Sequence, residues 1–212
     1  MKKPYIIGIT GASGSGKTTF LEELRKAFDP SSIELVSQDN YYRSREEQEA
    51  DENGVLNFDL PHSIHLDQFV GDVRKLCKGE VVTRQEYTFN NPLVQPRELV
   101  FEPRPIIILE GLFVMHEPEL EDLIDLKVFL YAPETAAFSR RIRRDQIERN
   151  YPLEDVLYRY EKHVITTYEK YIKPLHQKAD LVVNNHPSFD RGLSVLVGFL
   201  KSHLEKATVD KI

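Results

Sequence analysis

Tryptophan is absent from this chain of 212 residues, which holds one cysteine and two methionines. The single cysteine, Cys77, excludes an intrachain disulfide and fits a reducing compartment, so we expect a cytoplasmic protein. No apolar run approaches the roughly 18 residues that a membrane span needs. Because the amino-terminal residues pass directly into an apolar strand pattern, we expect neither export nor a membrane anchor.

Basic residues are fewer than acidic ones, 28 against 34, which gives a formal net charge of −6. This balance argues against a nucleic-acid groove over the whole surface and permits local basic clusters. The seven histidines lack the spacing of a metal centre, and His163 and His176 are interpreted as packing residues. The acidic stretch 43–53 is interpreted as a solvated segment without chemistry. We therefore expect a small-molecule partner and neither nucleic acid nor membrane; a homo-oligomer is left open.

The strongest motif in the chain, residues 11–18, fits G-x-x-x-x-G-K-[ST] and lies between an apolar run and a helical pattern. In such a loop the backbone N–H groups surround a β-phosphate, the lysine reaches the β- and γ-phosphates, and the threonine hydroxyl can bind Mg²⁺. The motif predicts a site for ATP or GTP; a chance glycine-rich turn is the weaker alternative. The predicted nucleotide-binding residues are Gly11, Ala12, Ser13, Gly14, Ser15, Gly16, Lys17, Thr18 and Thr19.

Apolar runs and helical patterns alternate along the chain. The predicted strands are 5–9, 33–37, 106–109, 126–131 and 181–183. The predicted helices are 65–77, 135–150, 153–178 and 192–206. Period-two patterns at 81–83, 86–89 and 99–101 predict an antiparallel ribbon inserted at about 80–103. We predict one α/β domain over residues 1–212, a P-loop NTPase fold whose three-layer parallel sheet has helices on both faces.

Two carboxylates follow predicted strands at the edge where the phosphate loop lies. Glu110 ends a wholly apolar strand, where a carboxylate can hold Mg²⁺ together with Thr18; capping of a helix is the alternative. Asp39 follows the second strand, where it can accept the proton of an attacking hydroxyl or bind the metal; an Asx turn is the alternative. The pair predicts phosphoryl transfer.

Positive charge is concentrated in residues 140–149 of this acidic chain. On a helix Arg140, Arg141 and Arg144 share one side, and Arg149 lies about a turn and a half beyond. An arginine from such a segment can neutralise charge that develops on a transferred phosphoryl group. We predict a helical lid at about 135–152; a solvated basic helix is the alternative.

Together these elements resemble the uridine–cytidine kinase family over about residues 5–200. The resemblance is carried, besides the phosphate loop, by Ser37-Gln38-Asp39-Asn40-Tyr41-Tyr42, Asn57-Phe58-Asp59-Leu60-Pro61, Leu109-Glu110-Gly111, Ser139-Arg140-Arg141-Ile142-Arg143-Arg144-Asp145 and Glu148-Arg149. It implies that Asp39 is the base for a ribose 5′-hydroxyl and that Asp59, next to Phe58, accepts the 2′- and 3′-hydroxyls. It also implies that Tyr87 forms a wall of the nucleoside pocket, and that Lys17, Arg144 and Arg149 engage phosphates while Arg141 approaches the substrate.

Departures from the family pattern cluster at the base-reading positions. Pro92 stands where the family has a histidine, Arg159 replaces a glutamine, and Tyr151 replaces a second arginine. We therefore expect phosphoryl transfer from ATP or GTP with Mg²⁺, and diol recognition, with altered pyrimidine contacts. The resulting expectation is a kinase for the 5′-hydroxyl of a nucleoside. The alternatives are a kinase of another polyol, similar to phosphoribulokinase, and a nucleotide-binding regulator without an acceptor.

Overall fold

The computed structural model describes residues 3–89, 94–147 and 151–209, with side chains as far as residue 206. The strands in these parts are β1 (Tyr5–Thr10), β2 (Ile33–Ser37), β3 (Val82–Gln85), β4 (Glu98–Phe101), β5 (Ile106–Glu110), β6 (Leu126–Tyr131) and β7 (Leu181–Asn184). The α-helices are α1 (Lys17–Lys26), α2 (Leu66–Cys77), α3 (Pro118–Glu121), α4 (Glu134–Ile147), α5 (Leu153–Arg159), α6 (Ile165–Thr167), α7 (Leu175–Lys178) and α8 (Asp190–Val209). None of these helices is long and apolar enough to cross a membrane.

Five strands form one parallel sheet, as predicted, and their order is β2-β5-β1-β6-β7. Strands β3 and β4 pair antiparallel in a separate ribbon. Because all five strands run in one direction, their carboxyl ends meet at a single edge. The loops after β1, β2, β5 and β7 therefore converge there. That edge is where the sheet positions the phosphate loop and both predicted carboxylates.

Alternating side chains of the central strands pack into two hydrophobic cores, one on each face of the sheet. Ile7 and Ile9 of β1 point to the face covered by α1 and α8, whereas Ile6 points to the face covered by α2. These three side chains are fully buried. Burial of each such side chain contributes roughly 1.5–3 kcal/mol to the stability of the fold. Because helices cover both faces of the sheet, its central strands are apolar at successive positions and do not alternate with polar residues. The sheet is consequently a rigid platform with helices on both sides.

Two predicted elements differ from the structure. The segment 86–89 is not a strand, because after Glu86 the backbone leaves the ribbon: the Tyr87 N–H turns to the Asn40 side chain and Phe89 has a φ of 52°. The predicted helix 153–178 is interrupted by π-helical turns at Tyr160–Val164 and Tyr168–Ile172, and α7 begins after Pro174. The predicted helix 135–150 is confirmed as far as residue 147, beyond which residues 148–150 lie outside the described part.

Candidate active site

The phosphate loop joins β1 to α1, and neighbouring elements pack directly on its glycines. Gly14 and Gly16 have φ values of 80° and 95°, which L side chains rarely adopt. A Cβ atom at Gly14 would overlap the backbone carbonyl of Ala137 on α4, and one at Gly16 would overlap the side-chain amide of Asn185. Glycine is required here both for the turn and for the close approach of α4 and the loop after β7.

Lys17 lies inside this loop. Its Nζ donates to the carbonyl oxygens of Gly11 at 3.0 Å and Ala12 at 3.1 Å. Burial lowers the pKa of the Lys17 ammonium, while the charges of Glu110 and Asp39 act in the opposite direction. The lysine therefore sits between the loop and both carboxylates, where a phosphate group can replace the carbonyls as its partner.

Glu110 and Asp39 are brought together by the pairing of β5 with β2, in which Ser37 is the register partner of Glu110. The Ser37 hydroxyl donates to Glu110 Oε1 at 2.5 Å and accepts from the Asp39 backbone N–H at 3.2 Å. Burial and the neighbouring Asp39 raise the pKa of the Glu110 carboxyl to about 7, against the opposing effects of Lys17 and Ser37. The two carboxylates are thus close enough for their charges to interact with each other and with Lys17 of the phosphate loop.

These residues fit a Mg²⁺ site of the kind that kinases use. Mg²⁺ is usually bound by one or two carboxylates together with phosphate oxygens and water. Glu110 and Asp39 would provide the carboxylates, and Thr18 is exposed at the start of α1, as is Thr19. The pKa of Glu110 is raised because burial and the charge of Asp39 disfavour its ionised form, and a bound cation would stabilise that form.

Helix α4 carries Arg141 into the gap between the phosphate loop and the Asp59 segment. Arg141 Nη1 donates to Ser13 Oγ at 2.9 Å and to Asp59 Oδ1 at 3.2 Å, while its Nε faces Asp145 Oδ2 at 3.2 Å. Burial lowers the pKa of this guanidinium, but Asp59 and Asp145 more than offset it, so the pKa is raised. Arg144 pairs with the same Asp145 at 2.9 Å. The geometry thus joins two predicted substrate-side residues, Arg141 and Asp59.

Two residues hold the phosphate loop from outside: Asn185, which sequence reasoning missed, and Arg140, which it placed among the arginines of the basic helix. Asn185 Nδ2 donates to the Ser15 carbonyl oxygen at 2.8 Å, and Arg140 Nη1 reaches the same oxygen at 3.4 Å. Arg140 also donates from Nη2 to the Asn185 carbonyl oxygen at 3.3 Å. Asn185 follows β7 at the same sheet edge, which was the only signal in the sequence that could have indicated it.

An aromatic cluster lies beside Asp59. The Tyr87 ring is 5.3 Å from the Tyr42 ring and 5.2 Å from the Phe89 ring, and the Phe58 ring is 6.4 Å from Tyr42. Tyr87 is connected to the Asp39 turn, since its N–H donates to the side chain of Asn40 at 3.2 Å. Tyr42 and Phe89 were not predicted as site residues. The rings are tilted or edge-to-face at the separations that aromatic pairs prefer, and they provide flat apolar surfaces.

The remaining predicted residues lie at the edge of this region or outside the described chain. Arg159 Nη1 donates to the Leu56 carbonyl oxygen at 2.7 Å, three residues before Asp59, and its guanidinium is 5.9 Å from the centre of the Tyr151 ring. Pro92 and Arg149 fall outside the described residues. The structure therefore connects Arg159 to the backbone that carries Phe58 and Asp59.

Among known proteins, the model of the phosphoribulokinase / uridine kinase family matches residues 6–191. A uridine kinase of Borrelia garinii subsp. bavariensis is 37% identical over 205 residues, which cover 97% of this chain and 98% of that relative. A uridine kinase of Borrelia duttonii is 36% identical over 197 residues, with 93% and 94% covered.

Solved structures agree on the fold. A possible uridine kinase from Bacillus stearothermophilus has a TM-score of 0.56 at 19% identity and covers 86% of this chain and 89% of that one. The D-glycerate 3-kinase from Cryptococcus neoformans has a TM-score of 0.54 at 14% identity, with 79% and 77% covered. These likenesses show a P-loop kinase fold, and with the family match over most of the sequence they lead to one conclusion. The chain belongs to the phosphoribulokinase / uridine kinase family.

Proposed function

We propose that this chain transfers the γ-phosphoryl group of ATP or GTP to the 5′-hydroxyl of a nucleoside. The full-length relatives named uridine kinase support a pyrimidine ribonucleoside as the acceptor. The single cysteine fits a reducing compartment such as the cytoplasm.

One observation carries the proposal: a buried carboxylate, Asp59, lies between a basic helix and a cluster of aromatic rings. A carboxylate is acceptor-only and suits two adjacent hydroxyls, because each hydroxyl can donate to one of its oxygens. The rings of Tyr42 and Tyr87 offer faces for a planar base. A small polyol would need the carboxylate and would leave the aromatic cluster without a purpose.

Phosphoryl transfer forms a bond between the 5′-oxygen and the γ-phosphorus and breaks the bond from that phosphorus to the β,γ-bridging oxygen. In our proposal Asp39 accepts the hydroxyl proton and aligns the oxygen for in-line attack. Lys17 exchanges the carbonyls of Gly11 and Ala12 for phosphate oxygens. Thr18, Glu110 and Asp39 would hold Mg²⁺, which would supply positive charge to the phosphate oxygens.

Arg141 provides a physical link between the two substrates. It contacts Ser13 of the phosphate loop and Asp59 of the acceptor segment with one nitrogen, so both sites meet at one guanidinium. A ribose diol would compete with Arg141 for Asp59, and a phosphate would compete with Ser13 for Arg141. Arg144 and Arg149 are proposed to complete the charge around the phosphates.

Base selectivity is proposed to differ from the family pattern. Arg159 has only donors, so it favours an acceptor with carbonyl oxygens or negative charge, whereas the family's glutamine has both a donor and an acceptor. We expect weak or altered discrimination between uridine and cytidine.

A substrate panel tests the proposal. ADP release would be measured with Mg-ATP and with nucleosides, pentoses or pentose phosphates, one at a time. We expect nucleosides to accelerate ADP release most, with uridine and cytidine within a narrow range of kcat/KM. A pentose phosphate as the best acceptor would favour a polyol kinase instead. ADP release that no acceptor changes would favour a nucleotide-binding regulator.

A further inference from the structure

The turn at residues 51–55, in the acidic stretch between Tyr42 and Asp59, is built on one carboxylate, that of Asp51. Its Oδ1 accepts from the backbone N–H groups of Asn53 and Val55, both at 2.9 Å, and the Asp51 N–H donates to the Val55 carbonyl at 3.0 Å. Sequence reasoning interpreted this stretch as solvated and without chemistry. The structure instead gives Asp51 the role of ordering the turn.

The other oxygen of Asp51 binds the helical segment that follows α4. Asp51 Oδ2 accepts from the Tyr158 hydroxyl at 2.8 Å and faces His163 Nε2 at 2.7 Å. A carboxylate cannot donate, so Nε2 of His163 carries the proton. His163 is 2% exposed. Burial raises the pKa of the Asp51 carboxyl, but the hydrogen bonds from Val55, His163 and Tyr158 more than offset it and hold that pKa well below its usual range.

Two residues five apart reach the same oxygen because the helix changes its winding. In an α-helix five residues turn by about 500°, which leaves Tyr158 and His163 roughly 140° apart. The turn Tyr160–Val164 is π-helical, with the Ile165 N–H bonded to the Tyr160 carbonyl, an i to i+5 bond. This wider turn brings His163 to the side of Tyr158. His163 was interpreted from the sequence as a packing residue, and the structure shows a polar role.

From this contact a short chain of bonds runs to the acceptor carboxylate. Leu56 is held by Arg159, and the Asn57 side chain accepts from the Asp59 N–H at 2.9 Å. Asp59 in turn pairs with Arg141 at 3.2 Å. The turn held by Asp51 therefore lies only a few residues from the carboxylate that would bind a ribose diol.

We propose that Asp51, Tyr158 and His163 are positioning residues that fix the Phe58–Asp59 segment for the acceptor; we call these three the clasp. This inference rests on the proposed function. Within the described part of the chain, the hydrogen bonds of the Asp51 carboxylate run to residues 53 and 55 and to the segment after α4, not to the phosphate loop. We therefore expect the clasp to act on acceptor affinity and to leave the donor site and the chemical step unchanged.

Two substitutions of His163 separate positioning from general packing. His163→Leu keeps bulk and removes the donor, whereas His163→Gln keeps an N–H near the position of Nε2. We expect His163→Leu to raise the acceptor KM about tenfold, because loss of a hydrogen bond to a charged group changes an equilibrium constant by about that factor or more. KM for ATP and kcat should stay within about twofold. We expect His163→Gln to restore most of the acceptor affinity.

Tyr158→Phe, which removes one hydroxyl, is the second probe and should raise the acceptor KM by a smaller factor. Lys162→Ala, at an exposed neighbour of His163, is the matched control and should leave acceptor and donor KM unchanged. The proposal would be overturned if His163→Leu lowered kcat and raised both the acceptor KM and the ATP KM by similar factors, and if His163→Gln restored none of them.

Amide hydrogen exchange gives a readout that does not depend on turnover. In His163→Leu the backbone amides of residue 53 and of residues 55–59 should exchange faster than in the wild type. His163→Gln should restore their protection. Unchanged exchange would overturn the clasp even if kinetics changed. If the wild type phosphorylates no nucleoside but exchange responds as described, the proposed function fails while the clasp stands as an ordering device.

Discussion

The proposed donor half and the proposed acceptor half of this site are built in different ways. The donor half consists of residues 11–19, a contiguous loop and the first turn of α1, supported from outside by Arg140 and Asn185. The proposed acceptor half takes Asp59, Tyr87 and Arg141 from three separate segments, and Asp39 lies at the junction of the two halves. One half is determined by local backbone geometry, and the other exists only because distant segments pack together.

The difference explains what each half can tolerate. In the donor half, Gly14 and Gly16 leave no space for any side chain, so substitutions there disturb the loop itself. In the proposed acceptor half, one hydrogen bond joins Arg141 to Asp59 and another joins Tyr87 to Asn40, so each contact between segments depends on few bonds. We expect donor-half changes to remove chemistry and acceptor-half changes to shift affinity.

Lys17→Ala should have the largest effect. The lysine contacts two loop carbonyls, so its loss should leave the fold intact and lower kcat by about 10³-fold, because a preorganised charge on the transferred phosphate is removed. Steady-state ADP release with a saturating acceptor measures this. Lys26→Ala, at the exposed end of the same helix, is the control. Activity above a few per cent of wild type would remove Lys17 from the mechanism.

Asp39→Asn, at the junction of the two halves, keeps the shape and removes the proton acceptor. We expect kcat to fall by at least about 10²-fold while the acceptor KM changes little. Initial rates at varied acceptor concentration separate the two parameters, and Asp67→Asn on the exposed face of α2 serves as control. A rise in KM alone would mean that Asp39 positions the acceptor and that the base lies elsewhere.

Asp59→Asn tests the acceptor half alone. It weakens charged hydrogen bonds to the diol, so kcat/KM for uridine should fall by roughly 10- to 100-fold while KM for ATP is retained. The same variant should lose less with 2′-deoxyuridine, which lacks one of the two hydroxyls. Equal losses for both nucleosides would contradict diol binding by Asp59.

Glu110→Gln should give the smallest effect, on the stability of the metal-free protein. The carboxyl has a pKa of about 7 in the folded protein against an ordinary value of 4.5, so the folded state binds this proton more tightly than the unfolded chain. Wild-type stability should therefore fall as pH rises from about 4.5 to about 7, and glutamine does not titrate. In EDTA at pH 8 the variant should melt several degrees higher than the wild type, with a smaller gap at pH 5. A gap that does not widen with pH would contradict the raised pKa.

The sequence predicted most of the sheet and the donor half, since apolar runs and a contiguous loop motif depend on local pattern. It failed at the π-helical turns, because periodicity does not encode an extra residue in a helical turn. For the same reason His163 was interpreted as packing and Asp51 as solvated. Asn185 was missed because its partner, Ser15, is 170 residues away. Contacts between separate segments need the fold before they can be seen.

The most direct test of the account is the position of the transferred phosphate. Uridine would be incubated with Mg-ATP, and the products identified by ³¹P NMR and mass spectrometry alongside the amount of ADP. The account predicts uridine 5′-monophosphate in equal amounts to ADP, with production lost in Asp39→Asn. Phosphate at the 2′ or 3′ position, or ADP accumulating with free phosphate and no phosphorylated nucleoside, would contradict it.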